Sequence, residues 1–285
     1  MYPFRTTIKM IGLVYNSQAP ETVKMVAKLE KSVSLPKDHW KCAASELQEM
    51  NDVLPETSVI VVAGGDGTIL RIVRVIAPHG IPMVGINMGR VGFMAELRVE
   101  EAVEMLPDYL EDGLRVEERM MLEATVVGPS ESAPRLTLHA LNDVVVGRGG
   151  VSGLLDIETT IDGVALTSYR ADAVIVSTAT GSTGYALSAG GPIMYPETRA
   201  MLIQPVAAHT GLSNGVILPD YSVIELHAGA AHEAVLSVDG FADMQLRPDD
   251  VVTIRRSPYI TRFLRAHAPS TFYAALTRRL GLENL

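Results

Sequence analysis

The chain has 285 residues, 47% of them hydrophobic and 20% charged, with 24 Lys+Arg against 33 Asp+Glu and a formal net charge of −9. The apolar content excludes a disordered chain, the length favours two domains over one core, and the acidic balance argues against a general nucleic-acid binder, which needs clustered Lys and Arg. A small phosphorylated ligand stays compatible with that balance, because a site is local and net charge is global. The single cysteine, Cys42, excludes an intrachain disulfide framework and an all-Cys zinc site. The first residues lack the apolar run of a signal peptide, and no apolar run reaches the ~18–20 residues of a membrane helix. A soluble, cytoplasmic protein with neither membrane nor nucleic-acid partners is therefore expected.

In chain order, Lys9–Tyr15 reads as a buried strand and Glu21–Val33, opened by Pro20, as a helix. Ser58–Ala63 is a β-branched strand that runs directly into Gly-Gly-Asp-Gly-Thr. A buried helix over Ile69–Ile76, a strand over Ile81–Ile86, the loop Asn-Met-Gly-Arg-Val-Gly-Phe and a helix over Glu100–Leu110 follow. Apolar strands alternating with helices imply a parallel, Rossmann-like sheet covered on both faces. Past Arg119 the pattern becomes strand after strand: Met121–Val127, Arg135–Val146, Leu154–Ile161, Val164–Ser168, Ala171–Ser177, Val223–His227, Ala234–Val238 and Val251–Arg255. Asp162-Gly163 and Asp239-Gly240 are hairpin-turn signals. The expectation is an α/β domain over 1–120, an all-β two-layer sandwich over 121–255, and a tail from about 256 to 285 that packs back on the first domain. The tail ends in a helix over Ser270–Leu280, with Ser270 as N-cap, Arg278 and Arg279 in the last turn and Gly281 as C-cap glycine.

Five loops carry chemistry. Gly64-Gly65-Asp66-Gly67-Thr68 joins a strand to a helix, where glycines let the backbone approach a ligand and a helix N-terminus suits phosphate. It is neither a dinucleotide fingerprint nor a Walker A loop. A carboxylate there, Asp66, is repulsive to phosphate unless it holds a metal or takes a proton from an attacking hydroxyl. Asn87-Met-Gly89-Arg-Val-Gly92-Phe93 also follows a strand, at the sheet edge where ligands bind; Phe93 either stacks on a base or belongs to the core. Asn142-Asp143 offers the donor and acceptor pair that an adenine edge or a ribose requires, or marks a bulge. Tyr169-Arg-Ala-Asp172 leads into a hydroxyl-rich stretch, Ser177–Pro192, that includes Thr183, Gly184, Tyr185 and Ser188; it lacks the G-x-S-x-G spacing of a serine hydrolase. Ser237-Val-Asp239-Gly240 needs no function as a hairpin turn.

Taken together, GGDGT at 64–68, NMGRVGF at 87–93, LND at 141–143, YRAD at 169–172, TATGSTGYALSAGGP at 178–192 and SVDG at 237–240 resemble the NAD kinase family in order and spacing, from about Ile8 to Tyr259. The resemblance implies transfer of the γ-phosphate of ATP to the 2′-hydroxyl of the adenosine ribose of NAD, with Mg²⁺ or another divalent cation. It implies that Asp66 is the catalytic aspartate, orienting or deprotonating that hydroxyl and helping to hold Mg²⁺. Gly64, Gly65, Gly67 and Thr68 cradle phosphate, with Asp239 on the donor side. Phe93 and Gly67 lie near the adenosine, Asn142 and Asp143 contact it, and Asp172, Thr183, Gly184, Tyr185 and Ser188 line the dinucleotide pocket, Asp172 being reached from a neighbouring subunit. A homodimer or homotetramer is implied by the family alone. GGDGT by itself also fits a diacylglycerol- or sphingosine-type lipid kinase, and the whole set also fits an NAD-binding sensor without turnover; neither explains both Asp66 and Tyr169–Pro192.

The chain departs from the family pattern in places. Asp143 stands for glutamate, Ala179 for proline and Gly184 for alanine. The stretch Val206–Pro219 keeps a His and a Leu but has Asn214 in the region of the usual arginine.

Overall fold

The computed structural model describes residues 8–89, 92–111, 114–150, 153–229 and 233–281. They divide into two units, one made of the described residues up to Glu118 together with those from Thr261 onward, the other Arg119–Ile260.

In the first unit, β1 (Met10–Tyr15), β2 (Asp38–Ala43), β3 (Val59–Gly64), β4 (Met83–Asn87) and the two-residue β5 (Leu97–Arg98) form a parallel sheet. All six residues of β3 are buried, as the β-branched run of a central parallel strand requires. β2 escapes sequence reading because only its last residues, Cys42 and Ala43, are buried; Trp40 instead anchors it by donating from Nε1 to Thr57 Oγ1 at 2.9 Å. α1 (Pro20–Ser32) opens on proline at its first turn and buries Thr22, Met25, Val26 and Leu29, one face at helical spacing. α2 runs from Asp66 to Ile76 and buries Thr68, Ile69, Ile72, Val73 and Ile76. It begins three residues earlier than its apolar periodicity suggests, so Asp66 lies inside its first turn. α3 (Ala102–Tyr109) completes the covering layer through Ala102, Leu106 and Tyr109.

The second unit holds two antiparallel sheets. One has the order β13 (Val216–Pro219), β12 (Ala200–Val206), β11 (Ala173–Thr178), β8 (Asp143–Arg148), β15 (Ala234–Val238), β16 (Ala242–Leu246). In the other, β10 (Val164–Ala171), β9 (Leu155–Ile161), β14 (Ile224–Ala228) and β17 (Val251–Arg265) are neighbours in that order, and β6 (Arg115–Val127) lies beside β17 and β7 (Leu136–Ala140). Alternate residues of both sheets, including Leu122, Val144, Val146, Ile157, Val174, Leu226, Leu236 and Ile254, share one core, which makes the unit a β-sandwich. The run expected as one strand over Arg135–Val146 is two. The chain leaves β7 at Leu141-Asn142 and enters β8 in the other sheet, between β11 and β15. A short helix, α4 (Tyr185–Ser188), follows β11.

β17 is ten residues longer than the expected Val251–Arg255. Its end re-enters the first unit, where Phe263 pairs with Met83 in parallel and Leu264 joins that unit's core. α5 (Thr271–Arg279) closes the described chain, with Ser270 at its N-cap position, though without a side-chain capping bond. Among the described residues, no helix is long and apolar enough to cross a membrane.

Candidate functional site

The first cluster is built by β3, α2 and the loop after β4. Gly65 is extended (φ −98°, ψ −175°) and caps α2, and its carbonyl accepts the N–H groups of Thr68 (2.9 Å) and Ile69 (3.2 Å). The N–H groups of Asp66 and Gly67, which precede these, have no intrahelical acceptor and are the ones that can face a ligand. A Cβ added at Gly65 or Gly67 meets no atom within 4 Å; the protein itself leaves that space open.

Asp66 is held from the other side. Its Oδ2 accepts the Phe93 N–H at 3.0 Å and its Oδ1 the Met94 N–H at 3.3 Å. Gly92 lets this loop come so close that a Cβ there would overlap the Asp66 carboxylate. Phe93 is half-buried, and the Arg279 guanidinium of α5 lies over its ring, 4.6 Å from the centroid. Arg279 Nη1 is 3.8 Å from Asp66 Oδ2, and Phe272 approaches Phe93 at 6.1 Å between ring centroids. Of the loop expected over 87–93, Arg90 and Val91 lie outside the described residues.

A buried ionic cluster supports that loop from below. Arg265, 6% exposed, donates to the Met94 carbonyl (3.0 Å), to Glu96 Oε2 (2.9 Å) and to Glu117 Oε1 (3.0 Å). Glu96 Oε1 also accepts the Tyr109 hydroxyl and the backbone N–H groups of Ala266 and His267, each at 3.1 Å. Burial alone would raise the Glu96 carboxyl, but Arg265 and His267 hold it below the ordinary range. No sequence motif marked Arg265, Glu96 or Arg279; Arg279 read only as a cation suited to the last turn of a helix.

The second cluster lies in the β-sandwich. Asp239, in a left-handed conformation (φ 52°) at the β15–β16 turn, is buried. Its carboxylate gathers three consecutive N–H groups, those of Leu141 (2.9 Å), Asn142 (2.7 Å) and Asp143 (3.1 Å). The turn that needed no function in the sequence therefore fixes the point where the chain changes sheets. Asp143 is buried beside it, its carboxyl pushed up to about 7 by burial and then by the Asp239 charge. The Asn142 carbonyl accepts the Thr178 N–H (2.9 Å), and Thr178 Oγ donates to the Leu141 carbonyl (2.6 Å). Asn142 Oδ1 is buried and accepts no hydrogen bond from the described residues.

The hydroxyl-rich loop bonds largely to itself. Ser182 Oγ donates to the Ala179 carbonyl (2.6 Å) and accepts the Met194 N–H (2.9 Å), and Thr183 Oγ donates to the Thr180 carbonyl (3.1 Å). A Cβ on Gly181 would overlap the Asn142 carbonyl, which ties this loop to the 141–143 segment. Gly184 precedes α4, Tyr185 opens it 46% exposed, and Ser188, also exposed, ends it. Asp172 is engaged elsewhere: its carboxylate pairs with Arg148 at 3.1 Å. The structure thus brings together Asp66 with Phe93 in the first unit, and Asn142, Asp143, Asp239 and the Thr178–Gly181 turn in the second.

Among the described residues, no group of three or more His, Cys, Asp or Glu side chains could hold a metal.

Comparison with known proteins agrees along the whole chain. Residues 13–114 match the ATP-NAD kinase N-terminal domain and residues 141–266 the ATP-NAD kinase C-terminal domain. The NAD kinase of Dehalococcoides mccartyi is 37% identical over 280 residues, 97% of each chain. A crystal structure of yeast NADH kinase complexed with NADH superposes with a TM-score of 0.86, at 22% identity over 99% of this chain and 90% of that one. The structure of an NAD kinase from Archaeoglobus fulgidus in complex with ATP gives a TM-score of 0.75 at 26% identity, over 94% and 98%.

Proposed function

The chain belongs to the NAD kinase family, and from that premise we propose how its residues divide the reaction ATP + NAD → ADP + NADP. The observation that carries the reading is the pair of features at the Asp66 loop: a carboxylate aimed by two backbone N–H groups, beside a helix start whose glycines leave room for a phosphate. In the proposed step the adenosine 2′-oxygen of NAD forms a bond to the γ-phosphorus and the bond from that phosphorus to the β–γ bridging oxygen breaks. ADP leaves with that electron pair, and the hydroxyl proton passes to an Asp66 Oδ. Little covalent work falls to the protein, so placement and charge dominate. Gly64, Gly65, Gly67 and Thr68 cradle the donor phosphates. Asn142, whose buried Oδ1 has no partner among the described residues, and Asp143 hold the adenosine. Phe93, Thr183, Gly184, Tyr185, Ser188 and Asp172, the last from a second subunit, complete the pocket. Asp239 serves the donor side through the backbone it fixes.

A divalent cation fits this donor set on one condition. Mg²⁺ is usually held by one or two carboxylates, waters and substrate phosphates rather than by an all-protein cage; Asp66 is the carboxylate available, and the phosphates supply the rest. When bound, the ion neutralises charge on the transferring phosphoryl group. The same family reading gives a cytoplasmic homodimer or homotetramer, for which light scattering is the measurement.

The test crosses ATP with NAD, NADH and diacylglycerol, using the wild-type chain and Asp66→Asn. The expected result is NADP formation by wild type, and a loss of kcat of about 100-fold or more in Asp66→Asn with NAD binding retained. Phosphorylation of the lipid alone, or NAD binding without turnover in wild type, would sink the reading.

A further inference from the structure

We propose that Arg279 is a phosphate-binding residue of the Gly64–Thr68 site, its guanidinium brought by the C-terminal helix to the donor phosphoryl group; this rests on the reading of that site as a phosphoryl-transfer centre. The site has a charge problem. It must hold a polyanion beside the Asp66 carboxylate, in a chain of net charge −9, and the partial charges at the start of α2 do not outweigh a full carboxylate. Arg279 is a full positive charge at the right place. Its Nη1 is 3.8 Å from Asp66 Oδ2, a charge contact too long for a hydrogen bond, so no donor is committed there. Its guanidinium lies 4.6 Å from the Phe93 ring centroid. Stacking of this kind engages the flat face of a guanidinium and leaves its edge N–H groups, which match phosphate oxygens two at a time. The side chain remains 42% exposed, open to an incoming ligand.

Core packing does not account for this placement, because none of the α5 residues is buried. Helix capping does not account for it either, since Arg278 gives the last turn the same charge. Phe272 of α5 contacts Phe93, the residue whose N–H aims Asp66.

The experiment compares Arg279→Ala, Arg279→Gln and Arg279→Lys in the full chain by steady-state kinetics, with melting temperature recorded alongside. Arg279→Ala and Arg279→Gln are expected to lower kcat/KM for ATP by about tenfold or more while the KM for NAD stays within about twofold. Arg279→Lys should keep part of the activity, and added guanidinium should restore part of it to Arg279→Ala. Kinetics within twofold of wild type overturn the proposal. So does an equal loss toward both substrates with a lowered melting temperature and no rescue by guanidinium, which makes Arg279 structural. Absence of NAD phosphorylation in wild type instead overturns the functional reading beneath it.

Discussion

Gly65 and Gly92 are glycines for opposite reasons. At Gly92 the protein itself forbids a side chain, because a Cβ would overlap the Asp66 carboxylate; at Gly65 nothing in the protein objects. Gly92→Ala should therefore displace Asp66, with about 1–3 kcal/mol of lost stability and a collapse of kcat. Gly65→Ala should keep the wild-type melting temperature and lower kcat/KM for ATP by about tenfold or more, as expected where a phosphate occupies the space. Equal behaviour of the two variants, in melting and in kinetics, would contradict this division. Asp143 makes a second residue-scale case. Its folded-state pKa is raised to about 7, by burial first and the Asp239 charge second. The stabilisation from its neutral form is thus fully present below the unfolded aspartate pKa of about 3.9 and is lost as pH rises through 7. Asp143→Asn cannot ionise, so its stability relative to wild type should climb between pH 5 and pH 7, by at most about 1.4 kcal/mol per pH unit. Urea denaturation at the two pH values measures it, and a flat difference would speak against the raised pKa. At this scale the sequence singled out candidate residues without showing what they touch. Asp66 stood out by type and position, Asn142-Asp143 read equally as a bulge, and Asp239 looked like a plain turn residue because its three N–H partners lie 96–98 positions upstream.

The elements that aim the site are fixed by charge as well as by apolar packing. Arg265 ends β17 and ties the Met94 carbonyl, Glu96 and Glu117 together in a buried cluster. Arg265→Met would remove the buried cation shared by Glu96, which keeps the Tyr109 hydroxyl and two backbone N–H groups, and Glu117, which keeps Arg115, a change worth about 3–5 kcal/mol of stability. Chemical denaturation gives the number, and a loss below about 1 kcal/mol would mean that the cluster is solvated enough to tolerate the change. Strands and helices with regular apolar spacing were legible in advance: β1, β3 and α1 lie within a residue or two of their expected bounds. The failures share a physical cause. Periodicity reports which side chains are buried, and it is blind where the chain keeps the same pattern but changes partners. Leu136–Arg148 reads as one strand-like run, yet crosses from one sheet to another at Asn142. β17 passes through Arg255-Arg256-Ser257-Pro258, which reads as a stop, because those residues continue a strand toward new neighbours. α2 begins at Asp66 because capping geometry, not burial, sets its start.

Across the whole molecule, the −9 charge and two anionic substrates set the demand for positive charge. Dipoles at the start of α2 and, in the proposed reading, Arg279 and a divalent cation would meet it, and the cation is the one removable without mutation. Turnover should fall to background in excess chelator and return on adding Mg²⁺, with the melting temperature of the free protein unchanged; undiminished turnover in chelator would exclude a required divalent ion. Composition alone placed this question but not its answer, since α5, which carries Arg279, offered no motif and buries none of its residues.

The first unit is interrupted in sequence: residues 119–260 are threaded between Glu118 and Thr261. Its sheet therefore lacks Phe263, its core lacks Leu264, and Glu96 and Glu117 lack Arg265 until that whole insertion has been made. At synthesis rates of about 5–20 residues per second, the nascent N-terminal half waits on the order of ten seconds with two carboxylates facing an absent arginine. The inserted β unit is contiguous in sequence, whereas the unit that carries Asp66 needs Phe263, Leu264 and Arg265 from beyond it.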